Sequence, residues 1–263
     1  MGLSNHLITF LNFFTALLSV PIIATGIWLA TKHSSVCLRF LQWPLIVIGI
    51  FILLVSIAGL VGTSCRILCL LWIYLAIMFL LILLLACFTV FAFVVTNKGA
   101  GDTISGKGFR EYHLGNYSSW LQRQVNQNSN WDRIRSCLSD ARVCSSLDSE
   151  YPSATAFASA DLSPLESGCC KPPTACGFTY VNATNWVQAK MPDADADCGT
   201  WRNVASQLCY SCDSCRAGVL ETVKKDWRKV AIVNVVVLVL IIAVYSIGCS
   251  AFRNARRDEY YKG

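Results

Sequence analysis

The sequence predicts an all-α membrane protein, a four-transmembrane-helix bundle with a helical, disulfide-rich large extracellular loop. The chain of 263 residues is 54% hydrophobic and only 14% charged, whereas soluble domains carry about 25% charged residues. Four long stretches are apolar and hold no Asp, Glu, Lys or Arg. Most of the 14 cysteines lie together in one polar stretch, and such clustering indicates an oxidising compartment.

The first predicted span covers residues 7–30 and follows a short N-terminal segment, 1–6. A transmembrane helix needs about 20 apolar residues, and 7–30 exceeds that length. A cleaved signal peptide is the alternative, but it needs a basic segment before its apolar core. Residues 1–6 hold no Lys or Arg. The sequence therefore predicts a helix that stays in the protein.

The next two spans are predicted at 44–64 and 67–95. A short polar segment, 31–43, precedes them, and only residues 65–66 lie between them, so the two helices must form an antiparallel hairpin. As a helix, 67–95 would be about 43 Å long at 1.5 Å per residue. The hydrocarbon core is about 30 Å thick. We therefore expect this helix to tilt or to leave the bilayer while still helical.

The polar stretch 96–229 is the predicted large loop. Apolar residues at helical spacing predict a short amphipathic helix at Trp131, Ile134, Leu138 and Ala141. Residues 145–163 are weakly patterned, and we expect a variable surface segment there. A second set recurs every three to four residues and predicts a helix that leads into the last span, 230–252: Leu208, Cys212, Cys215 and Val219. A short basic tail, 253–263, follows.

The large loop also decides which side of the membrane each segment faces. Lys and Arg are balanced at the two ends of the last span, so the positive-inside rule does not decide the orientation. Two glycosylation sequons, at Asn116 and Asn182, lie in the large loop, together with the clustered cysteines. We therefore expect 31–43 and 96–229 to be extracellular and both termini to be cytosolic.

Two adjacent cysteines, Cys169 and Cys170, stand in the motif Gly-Cys-Cys-Lys-Pro-Pro. A disulfide needs Cβ atoms about 4 Å apart, and neighbours on a trans backbone reach that only with strain. We therefore expect each to bond a different, distant cysteine. The predicted disulfide cysteines are Cys37, Cys137, Cys144, Cys169, Cys170, Cys176, Cys198, Cys209, Cys212 and Cys215. Their pairing stays open, since eight cysteines already allow 105 pairings, and the alternative is that Cys37 or another stays free.

The motifs of enzymes are missing from the sequence. The run Cys209-x-x-Cys212-x-x-Cys215 resembles an iron–sulfur or metal run, and Cys212 with Cys215 resembles a redox pair. No fourth ligand follows at a family spacing, so structural disulfides are the favoured interpretation. The three histidines form no spaced pair, and no phosphate-binding loop or nucleophile motif is present. We expect no catalytic residue, metal or cofactor. The scattered basic residues form no stripe for nucleic acid, which we exclude as a partner.

Small and polar residues recur inside the predicted spans. Two sets are spaced by seven residues, as in closely packed left-handed helix pairs: Asn12, Ser19, Gly26, and Gly49, Ser56, Thr63. Asn12 and Asn234 are polar inside lipid, and we expect both to hydrogen-bond within the bundle. Transporters usually carry ionisable residues inside the membrane, and the absence of Asp, Glu, Lys and Arg from the spans weighs against transport.

Three cysteines lie near the predicted cytosolic ends of the spans, where palmitoylation occurs: Cys65, Cys69 and Cys249. The alternative is that they are inert membrane cysteines. Cys87 lies far along the third span, near the opposite leaflet, and is out of reach of cytosolic acylation.

Four spans, a small and then a large outer loop, and a Cys-Cys pair in the large loop together resemble the tetraspanin family. Animal members typically have Cys-Cys-Gly, whereas Cys-Cys-Lys-Pro at Cys169–Pro172 resembles the plant branch. Four further segments resemble the plant branch in sequence: Phe91–Gly101, Tyr117–Leu121, Cys176–Phe178 and Tyr180–Asn182. Asn12 matches the polar residue of the family's first span. The acidic or amide residue of many animal third spans is absent here, which leaves that contact between helices without its usual partner.

The resemblance implies a non-enzymatic organiser at the plasma membrane and on endosomal and extracellular vesicles. Such proteins gather other membrane proteins, tetraspanins among them, and lipids into microdomains. Plant members are associated with development, cell contact and defence. The alternative is a cell-surface receptor that binds a ligand through the large loop, although the short tail offers little for signalling.

Overall fold

The computed structural model describes residues 3–31, 36–65, 67–99, 101–187 and 196–260. The chain divides into two compact units. One unit is Met1–Phe91 together with Ala231–Gly263, and the other is Ala92–Val230. We call them the membrane unit and the loop unit.

Four helices in the described residues are long and apolar enough to cross a membrane, which confirms the predicted fold class. Three of them have 29 residues each. They are α1 (Leu3–Thr31), α2 (Val36–Ser64) and α3 (Leu68–Thr96). The fourth, α10 (Asp213–Tyr260), runs for 48 residues as one helix. Because α10 begins far ahead of its apolar part, the loop unit and the last span share a continuous helix.

Helix α2 begins at Val36 rather than at Pro44, where the second span was predicted. Part of the predicted short polar segment is therefore helical. Residues 37–43 contain no glycine or proline and include the helix former Leu at two positions, so they can extend the helix. Residues 32–35 lie outside the described part of the chain.

The small residues at heptad spacing lie where α1 and α2 pack together. All six residues of the two sets are buried: Asn12, Ser19, Gly26, Gly49, Ser56 and Thr63. A Cβ atom on Gly49 would lie 2.6 Å from Cγ1 of Ile23, too close for any side chain there. Small side chains allow two membrane helices to approach closely and gain van der Waals contacts, since lipid supplies no hydrophobic force between helices.

The loop unit is helical with two small sheets. Its helices are α4 (Ser119–Asn126), α5 (Asn128–Asp140), α6 (Leu147–Glu150), α7 (Ala154–Ala158), α8 (Pro164–Cys169), α9 (Ala196–Thr200) and the first part of α10. Antiparallel strands β1 (Asp102–Thr103) and β2 (Arg110–Glu111) form one sheet. Strands β3 (Thr179–Asn182) and β4 (Asn185–Val187) form the other. The sequence analysis did not predict these strands, which have two to four residues each.

Polar side chains cap the N-termini of two helices in the loop unit. The hydroxyl of Ser118 accepts a hydrogen bond from the Leu121 amide at the start of α4. Ser163 and Glu166 form a capping box at the start of α8, with Pro164 in the first turn. Such a box satisfies two backbone donors that the helix itself leaves unpaired. It also fixes the direction in which α8 carries the two adjacent cysteines.

Residues 145–163 lie mostly at the surface, as expected, but the segment also supplies residues to the core. Leu147 is 0% exposed and Phe157 is 2% exposed. The Phe157 ring lies 5.4 Å from the Tyr180 ring and 5.6 Å from the Trp186 ring, centroid to centroid. Aromatic pairs at such distances stabilise a core beyond the area that they bury. The sequence did not reveal these core residues because α6 and α7 have only four and five residues, too few to show a period.

The helix predicted from Leu208 begins instead at Asp213. Leu208 has a φ of 34°, which a helix does not allow. Both carboxylate oxygens of Asp197 accept hydrogen bonds from the first amides of α10, from Asp213 at 2.7 Å and from Ser214 at 2.8 Å. An anionic side chain is favourable at this end of a helix. The start of α10 is therefore set by a residue distant in sequence.

Candidate functional site

Four disulfides join pairs of described residues in the loop unit. Their pairs are Cys144–Cys170, Cys169–Cys215, Cys176–Cys198 and Cys209–Cys212. Cys137 is also disulfide-bonded, whereas the side chain of Cys37 lies outside the described residues. The two adjacent cysteines, Cys169 and Cys170, thus bond different partners, and one point of the backbone is tied to α10 and to the segment before α6.

The backbones of α8 and α10 touch beside this point. A Cβ atom on Gly168 would lie 2.3 Å from the Ser214 carbonyl oxygen, and one on Gly218 would lie 2.3 Å from the Pro164 carbonyl oxygen. The Ser214 hydroxyl donates to the Gly168 carbonyl at 3.1 Å. Only glycine allows two backbones to approach this closely. The glycine before the two cysteines is therefore required for the position of the Cys169–Cys215 bond.

Lys171, which follows the two cysteines, is a buried cation of the loop unit. It is 1% exposed, and its ammonium contacts Oε1 of Glu111. The same carboxylate oxygen accepts from the Thr174 amide at 2.9 Å and from the Thr174 hydroxyl at 2.6 Å. The ammonium also lies 4.7 Å from the centroid of the Phe109 ring. A buried charge is tolerated only when paired and hydrogen-bonded in this way.

The carboxyl group of Glu111 responds to these neighbours. Burial by itself would raise its pKa, but the Lys171 ammonium and the Thr174 donors outweigh burial and lower it. Glu111 is therefore a carboxylate at neutral pH. The sequence analysis assigned the cysteines and prolines of the motif and missed Lys171 as a structural residue. The sequence offered no signal for this burial, because a lysine side chain usually extends its charge to water.

A second buried polar cluster ties α10 to the segment that follows α3. The Tyr117 hydroxyl donates to Oε2 of Glu221 at 3.0 Å, and the Lys224 ammonium lies 3.3 Å from the same oxygen. The Lys224 ammonium also donates to the Gly99 carbonyl. Burial and then the Glu221 carboxylate raise the pKa of Tyr117, so Tyr117 stays a hydrogen-bond donor. This cluster holds both ends of the loop unit side by side.

Asn12 makes its contact between membrane helices with a tyrosine. Its side-chain amide donates to the Ile8 carbonyl at 2.9 Å and to the Tyr74 hydroxyl at 3.4 Å. A Cβ atom on Gly59 would lie 2.5 Å from the Asn12 side-chain oxygen. Tyr74 of α3 thus stands in for the acidic or amide residue that the third span lacks, a substitution that the sequence analysis did not find.

Asn234 makes the corresponding contact in the other half of the membrane unit. Its side-chain amide donates to the Thr89 hydroxyl at 2.6 Å and to the Leu85 carbonyl at 3.1 Å. Both acceptors belong to α3, so α3 makes polar contacts with α1 through Tyr74 and with α10 through Thr89. The two asparagines that the sequence singled out therefore both hydrogen-bond between helices.

The residues predicted to be modified lie at accessible positions. Asn116 and Asn182 are both exposed in the loop unit. The Thr184 hydroxyl of the second sequon donates to the Asp148 carboxylate at 2.8 Å. Cys65 and Cys69 are free and exposed, and Cys249 is free and partly buried. Cys87 is free as well. Glycosylation and palmitoylation at these positions stay predictions.

The structure defines the class of this protein as a four-span membrane protein with a cross-linked loop. It has four helices of membrane-spanning length and one disulfide-bonded loop unit, in which two adjacent cysteines form the branch point. The family model described as "Tetraspanin family" matches residues 4–251, so the chain belongs to the tetraspanin family. No solved structure matches the chain.

The similar curated proteins are plant tetraspanins. Tetraspanin-8 of Arabidopsis thaliana is 54% identical over 98% of this chain and 96% of its own length. Tetraspanin-7 of the same plant is 54% identical over 98% of both chains. Protein TORNADO 2, also from Arabidopsis thaliana, is 46% identical over 100% of this chain and 97% of its own length. The chain is thus a tetraspanin of the plant type, as the sequence analysis predicted.

Proposed function

We propose that this protein is a non-enzymatic membrane organiser. It gathers partner membrane proteins, other tetraspanins and lipids into microdomains at the plasma membrane and on endosomal and extracellular vesicles, and its large loop binds the partners. The observation that carries this proposal is the construction of the loop unit, in which four disulfides and two buried ion pairs support a single compact body.

A loop built in this way suits binding. Cross-links and buried ion pairs hold the surface in one shape before a partner arrives, so less conformational entropy is lost when the partner binds. The charged groups in the interior are engaged with one another: Lys171 with Glu111, and Lys224 with Glu221. They therefore support the shape of the loop rather than chemistry on a substrate.

The experiment is partner capture after extraction with a mild detergent. The wild-type protein, the Cys169→Ser/Cys170→Ser variant and a Cys87→Ser control are expressed at equal levels, and co-purified proteins are identified by mass spectrometry. We expect the wild type and the control to retain the same membrane proteins, and the double variant to lose them. Equal capture by all three proteins would contradict the role of the loop. A soluble ligand in place of membrane proteins would favour the receptor alternative.

The orientation follows from the same proposal. With the loop outside and both termini in the cytosol, Asn116 and Asn182 are exposed to the glycosylation machinery. Endoglycosidase should lower the apparent mass of protein made in microsomes, and an Asn116→Gln/Asn182→Gln variant should show no shift. Tags at the termini should be reached by antibody only after permeabilisation. Labelling of either terminus on intact cells would overturn the orientation.

Acylation is the second modification in the proposal. Cys65, Cys69 and Cys249 would carry thioester-linked chains that alter lateral association, because four spans already anchor the protein. Acyl-exchange labelling of the wild type should be lost in the triple Cys→Ser variant and kept in Cys87→Ser. Labelling that survives the triple substitution would reject this assignment.

The proposed biological setting is development, cell contact or defence, as in the plant branch of the family. A loss-of-function plant should show a defect that the wild-type gene restores and the Cys169→Ser/Cys170→Ser gene does not. Full rescue by the variant would separate the biological role from the cross-linked loop.

A further inference from the structure

The base of the loop unit carries basic side chains where the chain joins the apolar spans. Lys98 follows the end of α3 at Thr96. Lys225, Arg228 and Lys229 precede Val230, where the apolar run of α10 begins. All four basic side chains are exposed. One acidic residue lies among them, Asp226, whose carboxylate is 3.8 Å from the Lys229 ammonium on the surface.

The two segments that carry these charges are held together. The guanidinium of Arg228 lies 3.5 Å from the carbonyl oxygen of Thr96, the last residue of α3. One turn earlier in α10, the Lys224 ammonium donates to the Gly99 carbonyl. Lys98 and Lys225 make no hydrogen bond or ion pair with any residue in the described ranges. Their charges are thus available to a ligand. Lys225, Arg228 and Lys229 lie within about one turn of α10, and the contact of Arg228 with Thr96 brings the segment that carries Lys98 beside that turn.

A pair of tryptophans lies at the same level. The rings of Trp120 and Trp227 are 6.2 Å apart, centroid to centroid, and both side chains are half-buried. Trp227 stands between the basic residues of α10 in sequence. Tryptophan is enriched where the bilayer meets water, with its ring at the level of the headgroups. This preference favours a position for the neighbouring basic residues at the level of the lipid headgroups.

We propose that Lys98, Lys225, Arg228 and Lys229, with Trp120 and Trp227, form a binding surface for the anionic headgroups of lipids in the leaflet on the loop side. Lys and Arg are usually concentrated on the cytosolic side of a span, whereas these four lie on the side of the disulfides, so they need another role. Each basic group near an anionic bilayer surface favours association by about fivefold. The inference rests on the proposed organiser function and deepens it, because it names the class of lipid gathered.

The test measures lipid selectivity of the purified full-length chain in phosphatidylcholine bilayers. Electron spin resonance gives the association constant of spin-labelled phosphatidylinositol relative to spin-labelled phosphatidylcholine at the protein surface. We expect a preference for phosphatidylinositol that weakens with added salt, as for other exposed charges. The Lys98→Gln/Lys225→Gln variant should reduce this preference by about fivefold or more, without altered protease resistance of the loop.

Three controls decide the assignment. A Lys107→Gln/Arg133→Gln variant removes two exposed charges elsewhere in the loop and should keep the preference. An Arg253→Gln/Arg256→Gln variant removes charges of the tail. The preference for phosphatidylinositol that depends on Lys98 and Lys225 should remain in this variant. Unchanged selectivity in the loop variant, or complete loss in the tail variant, would overturn the proposal. Displacement of the lipid by soluble inositol phosphate would also overturn it and assign a soluble phosphate ligand. No partner protein is present, so the outcome is independent of partner capture.

Discussion

The membrane unit and the loop unit keep their polar groups away from water in different ways. The loop unit buries full charges, with Lys171 at 1%, Glu221 at 7% and Lys224 at 8% exposure, and it adds disulfides. The membrane unit buries amides and hydroxyls inside its spans, chiefly Asn12, Asn234 and Thr63. The first unit relies on covalent bonds and strong local electrostatics, and the second relies on close packing with a few hydrogen bonds.

The physical reason lies in the two solvents. A polar domain on the oxidising side of a membrane can form disulfides that persist there, and these add to the stability of its core. A helix in lipid already satisfies its own backbone and needs no cross-link to stay helical. Its packing against other helices depends on shape, which the small residues of α1 and α2 provide. Damage to one unit should therefore leave the other largely intact.

The largest expected effect comes from the Cys169→Ser/Cys170→Ser variant. Loss of a native disulfide in a small secreted domain costs about 2–5 kcal/mol, and two are lost here, so the loop unit should unfold. Rapid proteolysis of the loop and thiol labelling of Cys144 and Cys215 would report this. The membrane helices should stay inserted and protected. Retained protease resistance of the loop would contradict the view that cross-links hold it together.

The Cys209→Ser/Cys212→Ser variant is the matched comparison. Its disulfide closes a sequence separation of 3, against 46 for Cys169–Cys215. The shorter loop restricts the unfolded chain less, by about 2 kcal/mol on the chain-entropy model. The loop of this variant should therefore resist protease better than that of the first variant. Equal protease sensitivity of the two variants would show that the disulfides of Cys169 and Cys170 contribute no more to stability than Cys209–Cys212.

The next effect in size is that of Lys171→Met. The substitution leaves the Glu111 carboxylate without its ammonium partner, and removal of one partner of a buried ion pair costs about 3 kcal/mol. The loop should melt at a lower temperature by near-ultraviolet circular dichroism. The double variant Lys171→Met/Glu111→Gln should recover most of the loss, since no unpaired charge remains. Failure of the second substitution to restore stability would point to packing rather than charge.

Gly59→Leu addresses the membrane unit in the same way. Its Cβ atom would lie 2.5 Å from the Asn12 side-chain oxygen, so Asn12 must move and lose the Tyr74 hydroxyl. Overpacking of this kind costs about 1–3 kcal/mol. Titration with sodium dodecyl sulfate should unfold this variant earlier, while the loop disulfides stay formed. Val61→Leu, on the exposed face of α2, is the control and should behave as the wild type.

Acid should weaken the loop unit through Glu111. A carboxyl whose pKa is lowered by folding stabilises the folded state above its ordinary pKa of 4.5, and this contribution is lost as the pH falls through the lower folded pKa. Loop stability, followed by near-ultraviolet circular dichroism, should therefore fall below about pH 4.5 in the wild type. Glu111→Gln should be less stable at neutral pH and show a shallower acid dependence. An identical dependence of loop stability on pH in both proteins would show that Glu111 does not cause the loss of stability in acid.

The smallest effect is expected for Asn234→Val, which removes the hydrogen bonds to Thr89 and Leu85. Hydrogen bonds between membrane helices contribute about 0.6 kcal/mol on average, far less than a disulfide of the loop. The same detergent titration should show a slight shift, and Thr89→Val should give a similar one. A loss as large as that of Gly59→Leu would mean that polar contacts, and not packing, hold the membrane helices together.

The sequence by itself determined the four apolar helices, because an uninterrupted apolar stretch has only one stable form in lipid. It also determined that Cys169 and Cys170 bond different partners, because adjacent cysteines cannot easily bond each other. The heptad spacing of small residues predicted a closely packing face on each of the first two spans, since a fixed period places residues on one face of a helix. Each of these conclusions depends on geometry within a few residues.

The tertiary structure decided what depends on distant residues. Asp197 sets the start of α10, Thr174 and Phe109 complete the environment of Lys171, and Tyr74 supplies the partner of Asn12. The pairing of the cysteines and the burial of Phe157 belong to the same group. None of these contacts leaves a period or a spacing in the chain, because each joins segments that meet only after the loop has closed or the helices have packed. The sequence thus specified the four spans and one branch point, and packing selected the side chains that satisfy the buried charges.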